Sequence, residues 1–152
     1  MNNDIVKEEI KRIKYTDVSR ELRIALDICM EAHKGEFRND SVTPYHTHPI
    51  IVSTLVNTEE EKIVALLHDV LESGKFKPWY IEKLFGAQCL FYIRLLTRLN
   101  SEPYLPYIND LSKYKVTRNV KVADITHNLV SEPSEHAKSK YFKAMKILLK
   151  EM

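Results

Sequence analysis

Glycine is scarce in this sequence, and apolar residues recur at helical spacing along most of it. Only three glycines occur in 152 residues, and Gly35, Gly74 and Gly86 each interrupt a helical pattern. A β-rich fold needs many tight turns and a phosphate-binding loop needs clustered glycines, so both are disfavoured. Strand patterns are weak throughout. The sequence therefore predicts an all-α fold, a single-domain helical bundle over residues 1–152 with its core at about 18–150.

Apolar periodicity and capping residues locate the predicted helices. Leu22, Leu26 and Cys29 share one helical face, and Thr58 with Glu61 has the spacing of a capping box. We predict helices over residues 18–33, 49–56, 58–73, 78–85, 87–98, 103–111, 116–130 and 141–152, and a polar loop over 36–47.

The overall charge excludes several classes of partner. The formal net charge is only +2, so no electrostatic footprint for a nucleic-acid polymer or an anionic membrane is expected. The polar start of the chain lacks the apolar core of a signal peptide, and no apolar run is long enough to span a bilayer. We expect a cytoplasmic protein. Whether it forms a homodimer is left open.

Histidines and carboxylates are grouped in a way that suggests a metal site. His48 directly precedes Pro49 at a predicted loop-to-helix junction. His68 and Asp69 are adjacent, and Asp124 lies in a later predicted helix. Apolar residues precede these side chains within the helices, so they are expected at the edge of the buried face. A carboxylate there needs a compensating cation, and a divalent metal shared by all four supplies it.

The mixed nitrogen and oxygen ligands also indicate the kind of metal and its chemistry. Such a set suits manganese, iron or zinc better than magnesium. A bound metal would activate water and polarise a phosphoryl oxygen. Glu72 follows His68 by four residues and Asp69 by three, so we expect it to project from nearly the same helical face. That position suits a general base.

At these residues the chain resembles the HD superfamily of metal-dependent phosphohydrolases. It is most similar to the hydrolase domain of the bifunctional alarmone synthetase/hydrolases and to the small alarmone hydrolases. The similar segments are residues 32–38, 44–49, 65–72, 85–87 and 121–129. The resemblance implies an HD-type helical bundle that releases pyrophosphate from the 3′ position of guanosine tetra- or pentaphosphate, usually with manganese.

The resemblance also implies roles for individual residues. Metal binding is implied for His48, His68, Asp69 and Asp124, catalysis for Glu72 and the position of Ser73, and substrate binding for Arg38, Asn128 and Tyr141. Arg38 would pack on the base, and Asn128 would lie near base and ribose. Ser73 stands where the family has a second catalytic acid, and Asn39 stands where it has a basic residue.

These departures leave alternative functions open. The chain could be an HD phosphohydrolase of another nucleotide or phosphoester. It could instead be a catalytically weak module that binds a nucleotide, a hypothesis that Ser73 favours. Two other residues also have alternative roles: His127 could orient a metal ligand or only pack, and Lys121 could attract substrate phosphates or belong to a solvated basic face.

Overall fold

The structure is a computed structural model that describes residues 2–150, and most of these residues are helical. The helices are α1 (Asn2–Tyr15), α2 (Arg20–Ala32), α3 (Thr47–Thr54), α4 (Glu59–Leu67), α5 (Pro78–Phe85), α6 (Ala87–Leu96), α7 (Tyr104–Ser112), α8 (Lys115–Val130) and α9 (Glu135–Lys150). A short 3₁₀ helix covers Leu71–Ser73. Within the described range, strand pairing is limited to one isolated bridge between Phe37 and Pro44. The all-α fold is confirmed.

Side-chain caps explain where several helices begin. The Ser19 hydroxyl accepts a hydrogen bond from the backbone N–H of Leu22 at the start of α2. Ser134 accepts one from Ala137, and α9 therefore begins at Glu135, earlier than the predicted start at Tyr141. The predicted end of that helix at Met152 lies outside the described residues.

The first helix was not predicted. Val6, Ile10 and Ile13 lie at helical spacing on α1, and Val6 and Ile13 are buried in the apolar core. Most of the charged residues between them occupy the solvent face of α1, so the segment is amphipathic and not simply polar. The apolar spacing that indicates this helix was present in the sequence but weak.

The predicted helix over residues 58–73 is too long. α4 ends at Leu67, and hydrogen bonds between residues three apart follow, such as Val70 N–H to Leu67 O at 3.1 Å. The His68 ring hydrogen-bonds the Ala65 carbonyl oxygen at 2.6 Å. In a continuing α-helix that oxygen would accept from the Asp69 N–H, so the His68 side chain competes with the helical pattern.

Three helices pack against one another and define the position of the candidate site. α3 packs on α4 and α8, and α4 also packs on α8. α3, α4 and α6 contribute to two clusters of buried apolar side chains, one shared with α1, α2 and α5 and the other with α7, α8 and α9. No helix within residues 2–150 combines the length and apolarity needed to cross a bilayer.

The capping box of α4 leads to a prediction about stability and pH. Burial alone would raise the pKa of Glu61, but hydrogen bonds from Asn119 and Thr58 lower it below its ordinary value. A depressed carboxyl pKa stabilises the fold above the unfolded-state pKa, and that contribution is lost as pH falls through the folded-state pKa. We expect the free energy of unfolding to fall more steeply between about pH 5 and pH 3 in the wild type than in Glu61→Gln.

Chemical denaturation across that pH range would measure the effect. Glu59→Gln is the matched control, because Glu59 is an exposed residue of the same first helical turn. Equal pH dependence in the wild type and Glu61→Gln would contradict the prediction.

Candidate functional site

Three predicted site residues meet at the junction of α3, α4 and α8. His48 lies in the first turn of α3, His68 directly follows α4, and Asp124 lies in α8. One ligand atom of each lies within 4.8 Å of the other two. His48 Nε2 is 2.6 Å from Asp124 Oδ1, and His68 Nε2 is 3.7 Å from the same oxygen. All three side chains are buried.

The other ring nitrogen of each histidine has a protein partner. His68 Nδ1 lies 2.6 Å from the Ala65 carbonyl oxygen, so Nδ1 carries a proton and donates it. His48 Nδ1 lies 2.7 Å from His127 Nδ1. When His48 donates that hydrogen bond, its Nε2 keeps a lone pair directed at Asp124. His127 therefore contacts the predicted metal ligand His48 directly. This contact is required if His127 orients that ligand.

Asp69 adjoins this group without being part of its compact core. Its Oδ2 lies 3.2 Å from His68 Nε2. The same oxygen accepts a hydrogen bond from the Tyr45 hydroxyl at 2.6 Å. Tyr45 was not predicted as a site residue, although it lies shortly before His48 in the segment 44–49 that resembles the family. Its hydroxyl fixes the orientation of the Asp69 carboxylate.

The electrostatics of the group favour a positive charge at its centre. Lys121 Nζ lies 2.7 Å from Asp124 Oδ2. Burial opposes ionisation, yet Lys121 and the neighbouring histidines hold the pKa of Asp124 well below its usual range. Asp69 and Asp124 likewise raise the pKa of His68 well above its ordinary value despite burial. Two ionised carboxylates beside His68 Nε2 attract either a proton or a metal cation.

The donor set therefore fits a divalent cation. Two imidazole Nε2 atoms, each with its Nδ1 already satisfied, and a buried carboxylate oxygen converge on one place. Zinc, iron and manganese accept such ligands. Asp69, held by Tyr45 beside His68, is available as a fourth ligand.

Glu72 lies close enough to this group to be influenced by its charges. It lines an open cavity of about 580 Å³ together with Thr97, Arg98, Leu99 and Asn100. Partial burial and the charge of Asp69 raise the pKa of the Glu72 carboxyl to about 7. A carboxyl that titrates near neutral pH is suited to accept a proton from water.

Ser73 has a different environment. Its hydroxyl donates to the Val70 carbonyl oxygen at 2.7 Å, and its oxygen accepts from the Lys75 N–H at 3.2 Å. The position corresponding to the family's second acid is therefore occupied by a hydroxyl engaged with the backbone.

Arg38 is held at a second, smaller cavity. Its Nη2 donates to Asn128 Oδ1 at 3.2 Å and to Ser131 Oγ at 3.3 Å. The Arg38 guanidinium carbon lies 5.8 Å from the centre of the Tyr45 ring. Arg38, Ser131 and His127 help to line a cavity of about 240 Å³. The structure thus joins Arg38 and Asn128, and Ser131, which was not predicted as a site residue, is an additional partner.

The loop that carries Arg38 is ordered by its own polar residues. Asp40 Oδ1 accepts hydrogen bonds from the backbone N–H groups of Val42 and Thr43. The Arg38 N–H donates to the Thr43 carbonyl oxygen at 2.8 Å. These bonds close a compact turn, typical of aspartate in loops, that fixes the backbone of Arg38.

Tyr141 lies on α9, which packs against α8. Burial raises the pKa of its phenol, and Asp124, Lys121 and Arg38 all act on it. Lys140 Nζ lies 5.2 Å from the centre of the Tyr141 ring. The charges of the candidate metal group and of Arg38 therefore both act on the predicted substrate residue.

A change at Tyr45 tests the role of the Asp69 carboxylate. We expect Tyr45→Phe to weaken binding of a divalent cation by about 10- to 100-fold, because it removes the hydrogen bond that orients Asp69. Titration calorimetry with manganese would measure the loss. Tyr80→Phe is the control, since Tyr80 is exposed on α5. Unchanged affinity in Tyr45→Phe would exclude this orienting role.

Comparison with known proteins connects this geometry to a group of enzymes. A scan against models of protein families finds no match. The guanosine-3′,5′-bis(diphosphate) 3′-pyrophosphohydrolase of Haemophilus influenzae is 29% identical over 117 residues, which cover 67% of this chain and 17% of the relative. The bifunctional (p)ppGpp synthase/hydrolase SpoT of Escherichia coli is 28% identical over 128 residues, which cover 74% of this chain and 18% of SpoT.

A solved structure extends the similarity to the fold. It is that of a metazoan ortholog of SpoT that hydrolyses ppGpp, and it superimposes with a TM-score of 0.73 at 26% identity. The match covers 90% of this chain and 87% of the other. The predicted resemblance is confirmed. The chain spans less than a fifth of the length of the curated relatives, which are 17% and 18% covered, so their activity is a hypothesis for this chain.

Proposed function

We propose that this chain is a metal-dependent phosphohydrolase of purine nucleotides. The substrate we propose is guanosine 3′,5′-bis(diphosphate), with pyrophosphate released from the 3′ position. The observation that carries the proposal is the buried group in which the Nε2 atoms of His48 and His68 converge on Asp124. The named activity of the similar enzymes supports the choice of substrate.

In this proposal His48, His68, Asp69 and Asp124 hold the cation. Manganese is the leading choice because the family that the chain resembles usually uses it. Iron and zinc are alternatives, since all three metals accept imidazole and carboxylate ligands. When bound, the cation supplies Lewis-acid chemistry, which polarises a phosphoryl oxygen and makes water more acidic. Lys121 holds the second oxygen of Asp124 and limits the ways in which that carboxylate can turn.

The remaining residues act on water and on the nucleotide. Glu72 accepts the proton of the attacking water, for which its raised pKa is suited. Arg38, held by Asn128 and Ser131, presents its guanidinium plane to the purine base. Tyr141 contacts the nucleotide between these two parts. Such a reaction on a free nucleotide would take place in the cytoplasm, and a homodimer remains compatible with it.

A panel of nucleotides tests the proposal. Purified protein with manganese would be incubated with ppGpp, GDP, GTP and ATP, and release of phosphate and pyrophosphate would be followed. We expect turnover of ppGpp and none of GDP, which lacks the 3′ group. Turnover of a different nucleotide would keep the mechanism and overturn the substrate.

A second candidate function is a nucleotide-binding module with weak catalysis. The observation that favours it is Ser73, whose hydroxyl is bonded to the Val70 carbonyl where the similar family has an acid. If this candidate is correct, Ser73→Asp should raise kcat by about 10-fold or more, as expected for an added acid–base group. Ser73→Asn is the uncharged control. Rapid turnover by the wild type would exclude the candidate.

A further inference from the structure

Two cations lie close to one tyrosine beside the candidate site. The Arg98 guanidinium carbon is 5.2 Å from the centre of the Tyr104 ring, and Lys140 Nζ is 4.7 Å from it. Arg98 follows α6, Tyr104 begins α7, and Lys140 belongs to α9. Three separate elements therefore bring these groups together, and their proximity does not follow from local sequence.

The positive charge of this cluster is not neutralised by the protein. In the part of the chain that the structure describes, no carboxylate oxygen lies within 4.0 Å of Arg98 or Lys140, whereas nearby Lys121 is paired with Asp124. Arg98 Nε donates to the Glu102 carbonyl oxygen at 3.0 Å, which is a neutral partner. The face of an aromatic ring attracts a cation, but the ring carries no net charge and does not neutralise it. The cluster is therefore complementary to an anion.

A buried hydroxyl in the same cluster also lacks a partner. The Tyr104 hydroxyl is inaccessible to solvent and makes no hydrogen bond within residues 2–150. Burying an unsatisfied donor is costly, so such a group commonly marks a place for a ligand oxygen or a water molecule. The Tyr104 ring stacks on the Tyr107 ring at 6.0 Å between centroids, and Nζ of Lys121, the partner of Asp124, lies 5.3 Å from the centre of the Tyr107 ring.

Arg98 connects the cluster to the candidate catalytic residue. Arg98 and Glu72 both line the cavity of about 580 Å³ described above. Lys140 Nζ lies 5.2 Å from the centre of the Tyr141 ring, and the charge of Arg38 also acts on the Tyr141 phenol. A ligand that reaches Glu72 through this cavity would thus meet the positive charge of Arg98.

We propose that Arg98, Lys140 and Tyr104 form a subsite for a second phosphate group of the substrate, away from the bond that is cleaved. For the nucleotide of the proposed function, this group is the 5′-diphosphate. Its assignment to the 5′ position rests on that proposed function, while the affinity of the cluster for phosphate does not. Arginine and lysine with a hydroxyl donor form the charge-assisted hydrogen bonds that phosphates accept.

Binding of inorganic pyrophosphate tests the subsite without any turnover. Titration calorimetry would be done on the full chain without added divalent cation. We expect Arg98→Met/Lys140→Met to bind pyrophosphate at least about 10-fold more weakly than the wild type. Lys143→Met/Lys146→Met is the matched control, because it removes two exposed charges from α9. Equal binding by both double variants would overturn the subsite.

A pair of substrates then tests the assignment to the 5′ group. For ppGpp, kcat/KM of Arg98→Met/Lys140→Met is expected to fall at least about 10-fold, with most of the change in KM. For guanosine 3′-diphosphate with a free 5′-hydroxyl, kcat/KM should not change. Equal losses on both substrates would overturn the assignment. If the wild type cleaves neither compound, the proposed function fails, and the pyrophosphate titration alone decides the subsite.

Discussion

Asp124→Asn is expected to lower turnover by about 1,000-fold, or about 4 kcal/mol of transition-state stabilisation. Asp124 Oδ1 is the point on which both histidine Nε2 atoms converge. An amide in its place keeps the shape but removes the negative charge that a divalent cation requires. The affinity for manganese should fall together with kcat.

This variant also removes the partner of Lys121, so its folding must be monitored. Leaving that buried ammonium unpaired would lower the free energy of unfolding. Circular dichroism under the assay conditions would show that the variant is folded. Asp110→Asn is the control, because Asp110 is exposed on α7 and its pair with Lys113 lies at the surface. Tight manganese binding with unchanged turnover in Asp124→Asn would rule out a metal centre at this position.

Glu72→Gln is expected to separate catalysis from metal binding. We predict a fall in kcat by about 100- to 10,000-fold, because glutamine cannot accept the proton of water. Manganese affinity should stay within a few-fold of the wild type, since Glu72 is not one of the predicted ligands. Glu82→Gln, on α5, is the matched control. A variant that keeps its turnover would exclude Glu72 as the general base.

The same residue predicts the direction of the pH profile. A general base must be ionised, so kcat/KM should fall as pH drops through the pKa of Glu72. That pKa is about 7 without a bound cation, and a nearby divalent charge lowers it. The acid limb of the wild-type profile should therefore lie at or below about pH 7, and it should be absent from the residual activity of Glu72→Gln.

The sequence was sufficient to predict the parts of the site that depend on residue type and order. His68 and Asp124 could be selected because each follows apolar residues within a predicted helix, and His48 because it precedes Pro49 at a loop-to-helix junction; one ligand atom of each lies within 4.8 Å of the other two. The roles of these three residues, of Asp69 and of Glu72 remain predictions. The helical class was predicted correctly, since three glycines and regular apolar spacing leave few alternatives.

Contacts between distant segments could not be predicted from local patterns. The bond of Tyr45 to Asp69 depends on how α3 and α4 pack, and that of His127 to His48 depends on how α3 and α8 pack. Spacing along the chain does not encode either arrangement. The end of α4 was misplaced for a related reason: the His68 ring takes the Ala65 carbonyl, a side-chain effect that apolar periodicity does not report.

Product analysis on ppGpp in the presence of manganese tests the central claim most directly. Phosphorus NMR of the reaction mixture would identify and count the products as they form. We predict pyrophosphate and GDP in equal amounts. Both should be absent when a chelator replaces manganese, and Asp124→Asn should form both about 1,000-fold more slowly than the wild type. Release of orthophosphate alone, or equal product formation with the chelator present, would contradict a metal-dependent 3′-pyrophosphohydrolase.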